Sequence, residues 1–297
     1  MGGTVAEPRP EPPVAELTAD QPEAYIARDR RRALAAGLEL PDRVAGSALF
    51  ADISGFTPLT EALRNELGPQ RGAEELTANI GRVFHAVIGE LDAFGGDVIY
   101  FSGDAITCWI DGDDGTRACA AALAMQEAIA RTGLIVTPAG TEVRLAMKVA
   151  IAVGRARRFV VGDPDIQLIE VLAGRLVDDL AEAEHHAGKG EIVLEPSAVA
   201  ALEAHTARGE VVLGEHRVDE ETSREYVVLE AVASPVPRTE VVEPPPLPED
   251  LVRPWLLPAV YERLRAGRGE FLAELRPAIP VFLRFSGIDY DHDHEAA

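Results

Sequence analysis

Little in this 297-residue chain could cross-link or hold a soft metal: it has two cysteines, Cys108 and Cys119, and they do not form a C-x-x-C spacing. That argues against a disulfide scaffold or a thiolate metal centre and points to a reducing compartment, the cytoplasm. Long apolar runs are missing too. No stretch approaches the ~20 apolar residues of a membrane span, and the opening MGGTVAEPRPEPP has proline and glutamate where a secretory signal would have an apolar core. Basic residues are scarce: 28 Lys and Arg against 50 Asp and Glu leave a formal charge of -22. Nucleic acid and anionic lipid repel such a surface, so a phosphate-bearing ligand has to be met locally, by a metal ion or a few placed cations.

What is present suits a packed core, with 47% hydrophobic residues in a chain long enough for one large domain or two small ones. Residues 1–21 read as disordered, and 23–37 (EAYIARDRRRALAAG) as a short charged helix, together forming an N-terminal segment over 1–43. Strand-like and helix-like patterns alternate over 44–235, as in a mixed α/β domain. GSALFADI is the first strand. Leu76, Ile80, Val83, Phe84, Val87, Ile88 and Leu91 recur at helical steps, and Gly95-Gly96 ends that helix. In DVIYFSGDAITCWI two β-rich runs flank Ser102-Gly103-Asp104, which predicts a hairpin with Asp104 at its turn.

An Ala-rich helix over 115–131 follows. In VRLAMKVAIAV a period of two places Arg144 and Lys148 on the less apolar face of one strand. Further strands are predicted at 157–161, 166–172 and 190–194, with a helix over 175–187 between the last two. Residues 236–276 read as a Pro-rich linker and helix. Over 277–297 a short repeat appears: FLRFSG (282–287) lies on FADISG (50–55), with Arg284 in the place of Asp52.

Asp52 interrupts an apolar strand just where the chain loosens into Ser54, Gly55, Phe56 and Thr57, ahead of a helix beginning near Pro58. Two strand-end carboxylates that converge beside a helix N-terminus suit Mg²⁺ carrying a triphosphate, and Lys148 supplies a matching cation. Taken singly, each residue has a plainer reading. Asp52 and Asp104 fit turns or caps, Thr57 a helix cap, Lys148 a solvated strand lysine. His185-His186 fit a solvated helix end, DHDHE a frayed terminus, and Asp178 and Asp179 solvent-facing acids.

FADISGFT, GGDVIYFSGDAITCW and VLAGRLVDDLAEAEHHAGKGEIVL, in this order and spacing, resemble the catalytic domain of class III adenylyl and guanylyl cyclases. Among these the chain is most similar to the first cyclase domain of bicarbonate-responsive soluble adenylyl cyclases, and ELRPAIPVFLRF resembles the start of their second, here truncated. The resemblance implies an α+β fold: a ferredoxin-like (βαββαβ) antiparallel-sheet core with extra C-terminal α/β elements. It implies conversion of ATP to 3′,5′-cyclic AMP and pyrophosphate with two Mg²⁺ or Mn²⁺ ions per composite site. Asp52 and Asp104 match the metal-holding aspartates and Ile53 the residue whose carbonyl joins them. Ser54, Gly55, Phe56 and Thr57 fall in the triphosphate loop, and Lys148 matches a phosphate-contacting base.

The departures are equally specific. Tyr100 replaces the base-recognising lysine, and Val171 stands at the second base-selecting position. Asp178 replaces the ribose-orienting asparagine, and Glu182 the transition-state arginine. Tyr100 and Ala181 also alter two bicarbonate positions. The expectation is therefore a metal-bearing half-site that needs a complementary cyclase domain, in a longer chain or a heterodimer. A catalytically silent regulatory module is the alternative, and an unrelated two-metal phosphotransferase or polymerase-like palm domain a third reading.

Overall fold

Alternation along the first strand decides what each side of the sheet carries. In the computed structural model, which describes residues 21–267, 279, 281, 283 and 287–293, a lead-in helix α1 (Arg28–Ala36) precedes β1 (Arg43–Ser54). Leu49, Ala51 and Ile53 of β1 enter one apolar cluster, while Ala48 and Phe50 enter another on the opposite face. Asp52 shares the second face, as a period of two requires.

Beyond β1 come α2 (Phe56–Leu67), α3 (Pro69–Asp92), the hairpin β2 (Asp97–Ser102) and β3 (Ala105–Asp111), and α4 (Thr116–Thr132). The minor pair β4 (Leu134–Val136) and β5 (Glu142–Arg144) then leads to β6 (Ala146–Asp163), β7 (Gln167–Ala173) and α5 (Arg175–His185). The rest comprises β8 (Ile192–Leu194), α6 (Pro196–Ala201), α7 (Glu203–Ala207), β9 (Val211–Val218), β10 (Glu225–Val232), α8 (Glu249–Val252) and α9 (Pro258–Arg265).

The main sheet runs β2-β3-β1-β6-β8-β10-β9, with β7 also paired to β6. β3 and β6 both flank β1 antiparallel, and β6 pairs parallel with β8. Its first four strands, with the helices between them, form the expected βαββαβ core, and β8 to β10 form the C-terminal extension. Helices α2, α3 and α4 close one face. Leu76, Val83, Val87 and Leu91 line the buried side of α3, and Ala118, Ala121, Ala122 and Ala128 let α4 lie close to the strands. Each large side chain so buried contributes about 1.5–3 kcal/mol. Asp113 starts α4, accepting from the N–H groups of Gly115, Arg117 and Ala118. The other face is covered by α5, through Leu176, Leu180 and Ala183.

Several expectations need correction. The run over 143–153 is not one strand: Leu145 donates to Gly133 and leaves the ladder, so Arg144 belongs to β5 and Lys148 to β6. The separate strand at 157–161 is a continuation of β6, because the strand pairs with β1 up to Arg157 and from there with β7. The charged helix after residue 23 is a 3₁₀ turn followed by α1, and its Arg28, Arg30 and Arg31 are buried. Asp179 does not face bulk water: it pairs with Arg175 and Arg224. In the tail, Asp291 accepts from the Arg175 N–H at 2.8 Å, and Arg157 donates to the Asp293 carbonyl at 3.1 Å, so this stretch is docked by hydrogen bonds. Most of the repeat over 282–287, Arg284 included, lies outside the described residues, as do 268–276 of the linker and helix expected over 236–276.

Candidate functional site

One end of the sheet gathers the carboxylates. Register places Asp52 opposite Ala105 on β3 and opposite Lys148 on β6. Asp104 occupies the β2–β3 turn beside Gly103, whose φ of 68° is a left-handed value glycine adopts without strain. The Ile53 N–H donates to the Asp104 carbonyl at 3.2 Å, which ties the hairpin turn to the end of β1. The two aspartates are close enough for each to feel the other's charge. Sequence spacing alone had suggested this convergence, and the antiparallel register supplies it.

The charges around Asp52 are unbalanced. Lys148 Nζ lies 3.5 Å from Asp52 Oδ2 and also pairs with Glu184 on α5. The Asp104 carboxylate makes no hydrogen bond or ion pair among the described residues. Two acids therefore share one ammonium while the third has none. Burial holds the Asp52 carboxyl above the usual aspartate range. Lys148 pulls it down, and Asp104 and Glu184 push it further up. The Lys148 ammonium is held above its ordinary value, chiefly by its hydrogen bond to Glu184. A half-buried set of hard oxygen donors with surplus negative charge fits a divalent cation of the Mg²⁺ or Mn²⁺ kind.

Beside the acids, the chain turns sharply into α2. Gly55 has φ 99°, and a Cβ there would lie 3.0 Å from the Arg144 carbonyl, so only glycine fits. No side chain caps α2, which leaves the first-turn N–H groups of Phe56 and Thr57 without a capping acceptor. Thr57 is thus inside the helix and not its cap; Gly55 is the N-cap, and the helix begins two residues before Pro58. The Ser54 hydroxyl donates to the Ala146 carbonyl at 3.2 Å, so it braces the loop against β6.

Glu184 escaped the reading from sequence. The signal was its position one turn beyond Leu180, on the face α5 buries, where an acid needs a cationic partner. His186 was misread as solvated: its side chain is 19% exposed, against 71% for His185. Tyr100 lies apart from the acids, on β2. It lines an open cavity of about 600 Å³ together with Arg28, Asp97, Glu170 and Trp255.

No protein-family model matches the chain. It is 28% identical over 157 residues to adenylate cyclase type 10 of Oryctolagus cuniculus, a match that takes in 52% of this chain and 10% of that protein. The Homo sapiens counterpart matches equally, also at 28% identity with 52% and 10% coverage. The chain thus matches only about a tenth of the length of these curated relatives. Among solved structures it is similar to a bacterial light-regulated adenylyl cyclase, with TM-score 0.53 and 16% identity over 70% of this chain and 59% of that one. The guanylyl cyclase Cya2 aligns with TM-score 0.51 and 21% identity over 65% and 95% of the two chains. Strand order and these likenesses agree: the domain has the class III nucleotide cyclase fold, and its sequence relatives are type 10 adenylate cyclases.

Proposed function

We propose that this chain supplies the metal-bearing half of a composite adenylate cyclase site, converting ATP to 3′,5′-cyclic AMP and pyrophosphate together with a complementary cyclase domain. The observation that carries this reading is the unmatched pair, Asp52 and Asp104, converging beside an uncapped helix start. The two carboxylates and the Ile53 carbonyl are the groups that would hold divalent cations. Bound there, such cations acidify the ribose 3′-hydroxyl and offset charge on the leaving pyrophosphate. The 3′-oxygen forms a bond to the α-phosphorus, the bond from that phosphorus to the pyrophosphate oxygen breaks, and the hydroxyl proton is lost to solvent.

The chain's own residues would bind and orient. The N–H groups of Phe56 and Thr57 receive phosphate oxygens at the positive end of α2. Lys148 exchanges its carboxylate partners for the triphosphate. Position 182 carries an acid, which would repel a pentacoordinate phosphorus, so the stabilising cation has to come from the complementary domain. Among the described residues no helix is long and apolar enough to cross a membrane.

The alternative, a silent regulatory module, draws on Lys148 already lying against Asp52. One experiment separates the two. The purified chain is assayed with Mg-ATP and Mn-ATP, alone and mixed with a cyclase domain bearing the missing lysine, asparagine and arginine. Turnover only in the mixture, lost with Asp52→Asn, supports the proposal. Nucleotide binding without product in the mixture selects the silent module.

A further inference from the structure

At the far end of α5 a second constellation gathers, away from Asp52 and built around the acid at position 182. Glu182 and His186 stand four residues apart, on one side of the helix end. Asp219 approaches from the turn that follows β9. One ligating atom from each of the three lies within 4.8 Å of the others. His186 Nε2 is buried without a hydrogen-bond partner and stands 3.6 Å from Asp219 Oδ2. The other Asp219 oxygen, Oδ1, is engaged by the N–H groups of Glu221 and Thr222 and by the Thr222 hydroxyl, which orients the carboxylate and leaves Oδ2 free.

A separate observation points to a missing ligand. Tyr226 is fully buried, and its hydroxyl has no hydrogen-bond partner among the described residues. Its ring stacks on that of His186 with centroids 4.1 Å apart and planes at 18°. That stacking places Tyr226 directly beside the His186 ligand. The nearby cations are already committed: Arg224 to Asp179 and Glu195, and Arg217 to Glu191, Glu215 and the His186 carbonyl. A buried phenol left unpaired carries an uncompensated desolvation cost.

We propose that Glu182, His186 and Asp219 form a site for a first-row divalent transition cation, with Zn²⁺ the best match, beside the buried Tyr226. One imidazole with two carboxylates suits Zn²⁺ better than Mg²⁺, which prefers an all-oxygen shell. Tetrahedral ligands about 2.0–2.1 Å from zinc lie roughly 3.3 Å apart, a spacing that small side-chain rotations of the half-buried Glu182 and Asp219 can reach. The negative end of the α5 dipole favours a cation at this place. Such an ion would pin the end of α5, the helix that carries Glu184, to the β9–β10 turn.

The test uses the full chain with His292→Ala and His294→Ala, so that the tail histidines cannot compete. Zn²⁺ binding is measured by calorimetry, and Co²⁺ is added as a spectroscopic probe of the imidazole ligand. One equivalent is expected. Affinity should fall at least ~100-fold in His186→Ala and in Glu182→Gln, more than the loss of an outer-shell partner causes, and should hold in His185→Ala. Zn²⁺ should raise the melting temperature of the parent and not that of Glu182→Gln, a variant that keeps the shape of the side chain. Unchanged binding in both site variants overturns the proposal, as does loss of that equivalent in Asp52→Asn/Asp104→Asn.

Discussion

Two ionic clusters flank the central strands, and they handle charge in opposite ways. Next to α1, Arg158 pairs with Asp29 and Glu170, Arg30 with Glu170, Arg28 with Asp92 and Asp97, and Arg31 with Glu243. These arginines are nearly dry, Arg158 having a side-chain exposure of 2%. At the Asp52 end the groups are half-open, and one lysine serves Asp52 and Glu184 while Asp104 has no partner among the described residues. Matched, buried charge holds elements together, here the N-terminal helix to the sheet. Unmatched, accessible charge is left for a ligand. The composition's surplus of acid is thus not spread evenly, and its distribution separates scaffold from site.

The sharpest way to break that comparison is to neutralise the acids at each end. With a complementary domain present, Asp52→Asn or Asp104→Asn should lower cyclase turnover at least ~100-fold, since the charge stabilisation they anchor amounts to several kcal/mol. Thermal stability should change little or rise, because removing one of several crowded carboxylates relieves repulsion. Activity retained in both variants would show that the acid surplus there is only surface charge.

Arg158→Ala should do the reverse. It leaves Glu170 and Asp29 short of a partner in a dry setting and should cost about 3–5 kcal/mol in urea unfolding, while the remaining folded molecules bind Mn²⁺ as before. A loss below ~1 kcal/mol would mean that the cluster is not the brace its burial suggests. The pairing is imperfect even so: Arg28 Nε, Arg30 Nε and Glu170 Oε2 are buried without hydrogen bonds.

Asp97 gives that cluster a pH signature. Burial, followed by the charge of Asp29, lifts its carboxyl to about 6, against the downward pull of Arg28. The folded chain then holds a proton that the unfolded chain has released between pH ~4 and ~6, so this residue's contribution to stability falls as pH rises through that window and is flat above it. Asp97→Asn should remove the slope and gain on the order of 2 kcal/mol at pH 7 relative to pH 4. Parallel urea midpoints for parent and variant across pH 4–7 would refute the assignment.

How much of this could be read from the sequence depends on how local each signal is. Asp52 stands out because it breaks an apolar alternation, and Asp104 because Gly103 beside it marks a hairpin turn; both cues lie within a few residues. The length of β6 was hidden: the sequence suggested one strand over 143–153 and another over 157–161, yet β1 and β7 take successive parts of the same strand. The arginines of α1 read only as part of a short charged helix because their acids are remote, Glu170 lying 140 residues from Arg30. Glu184 and His186 were obscure for a similar reason, since what makes them inward-facing is a strand and a turn elsewhere in the chain.

The smallest effect concerns Lys148, which belongs to both descriptions: a structural partner of Glu184 and a placeholder beside Asp52. Replacing it with methionine removes the one influence of those around Asp52 that stabilises the ionised carboxylate from a neighbouring cation, so the carboxyl should move further up and acid should displace a bound ion at a higher pH. Above that range no ammonium competes for the carboxylates, and Mn²⁺ alone should bind up to ~5-fold tighter, the scale of one partly exposed ion pair. Turnover of Mn-ATP in the reconstituted pair should nevertheless fall, because the triphosphate loses its cation. Mn²⁺ titrations at pH 5.5 and 8 (by paramagnetic resonance), read beside the KM for nucleotide, separate these roles. Weaker Mn²⁺ binding at both pH values would make Lys148 a support for the acid pair and not its competitor.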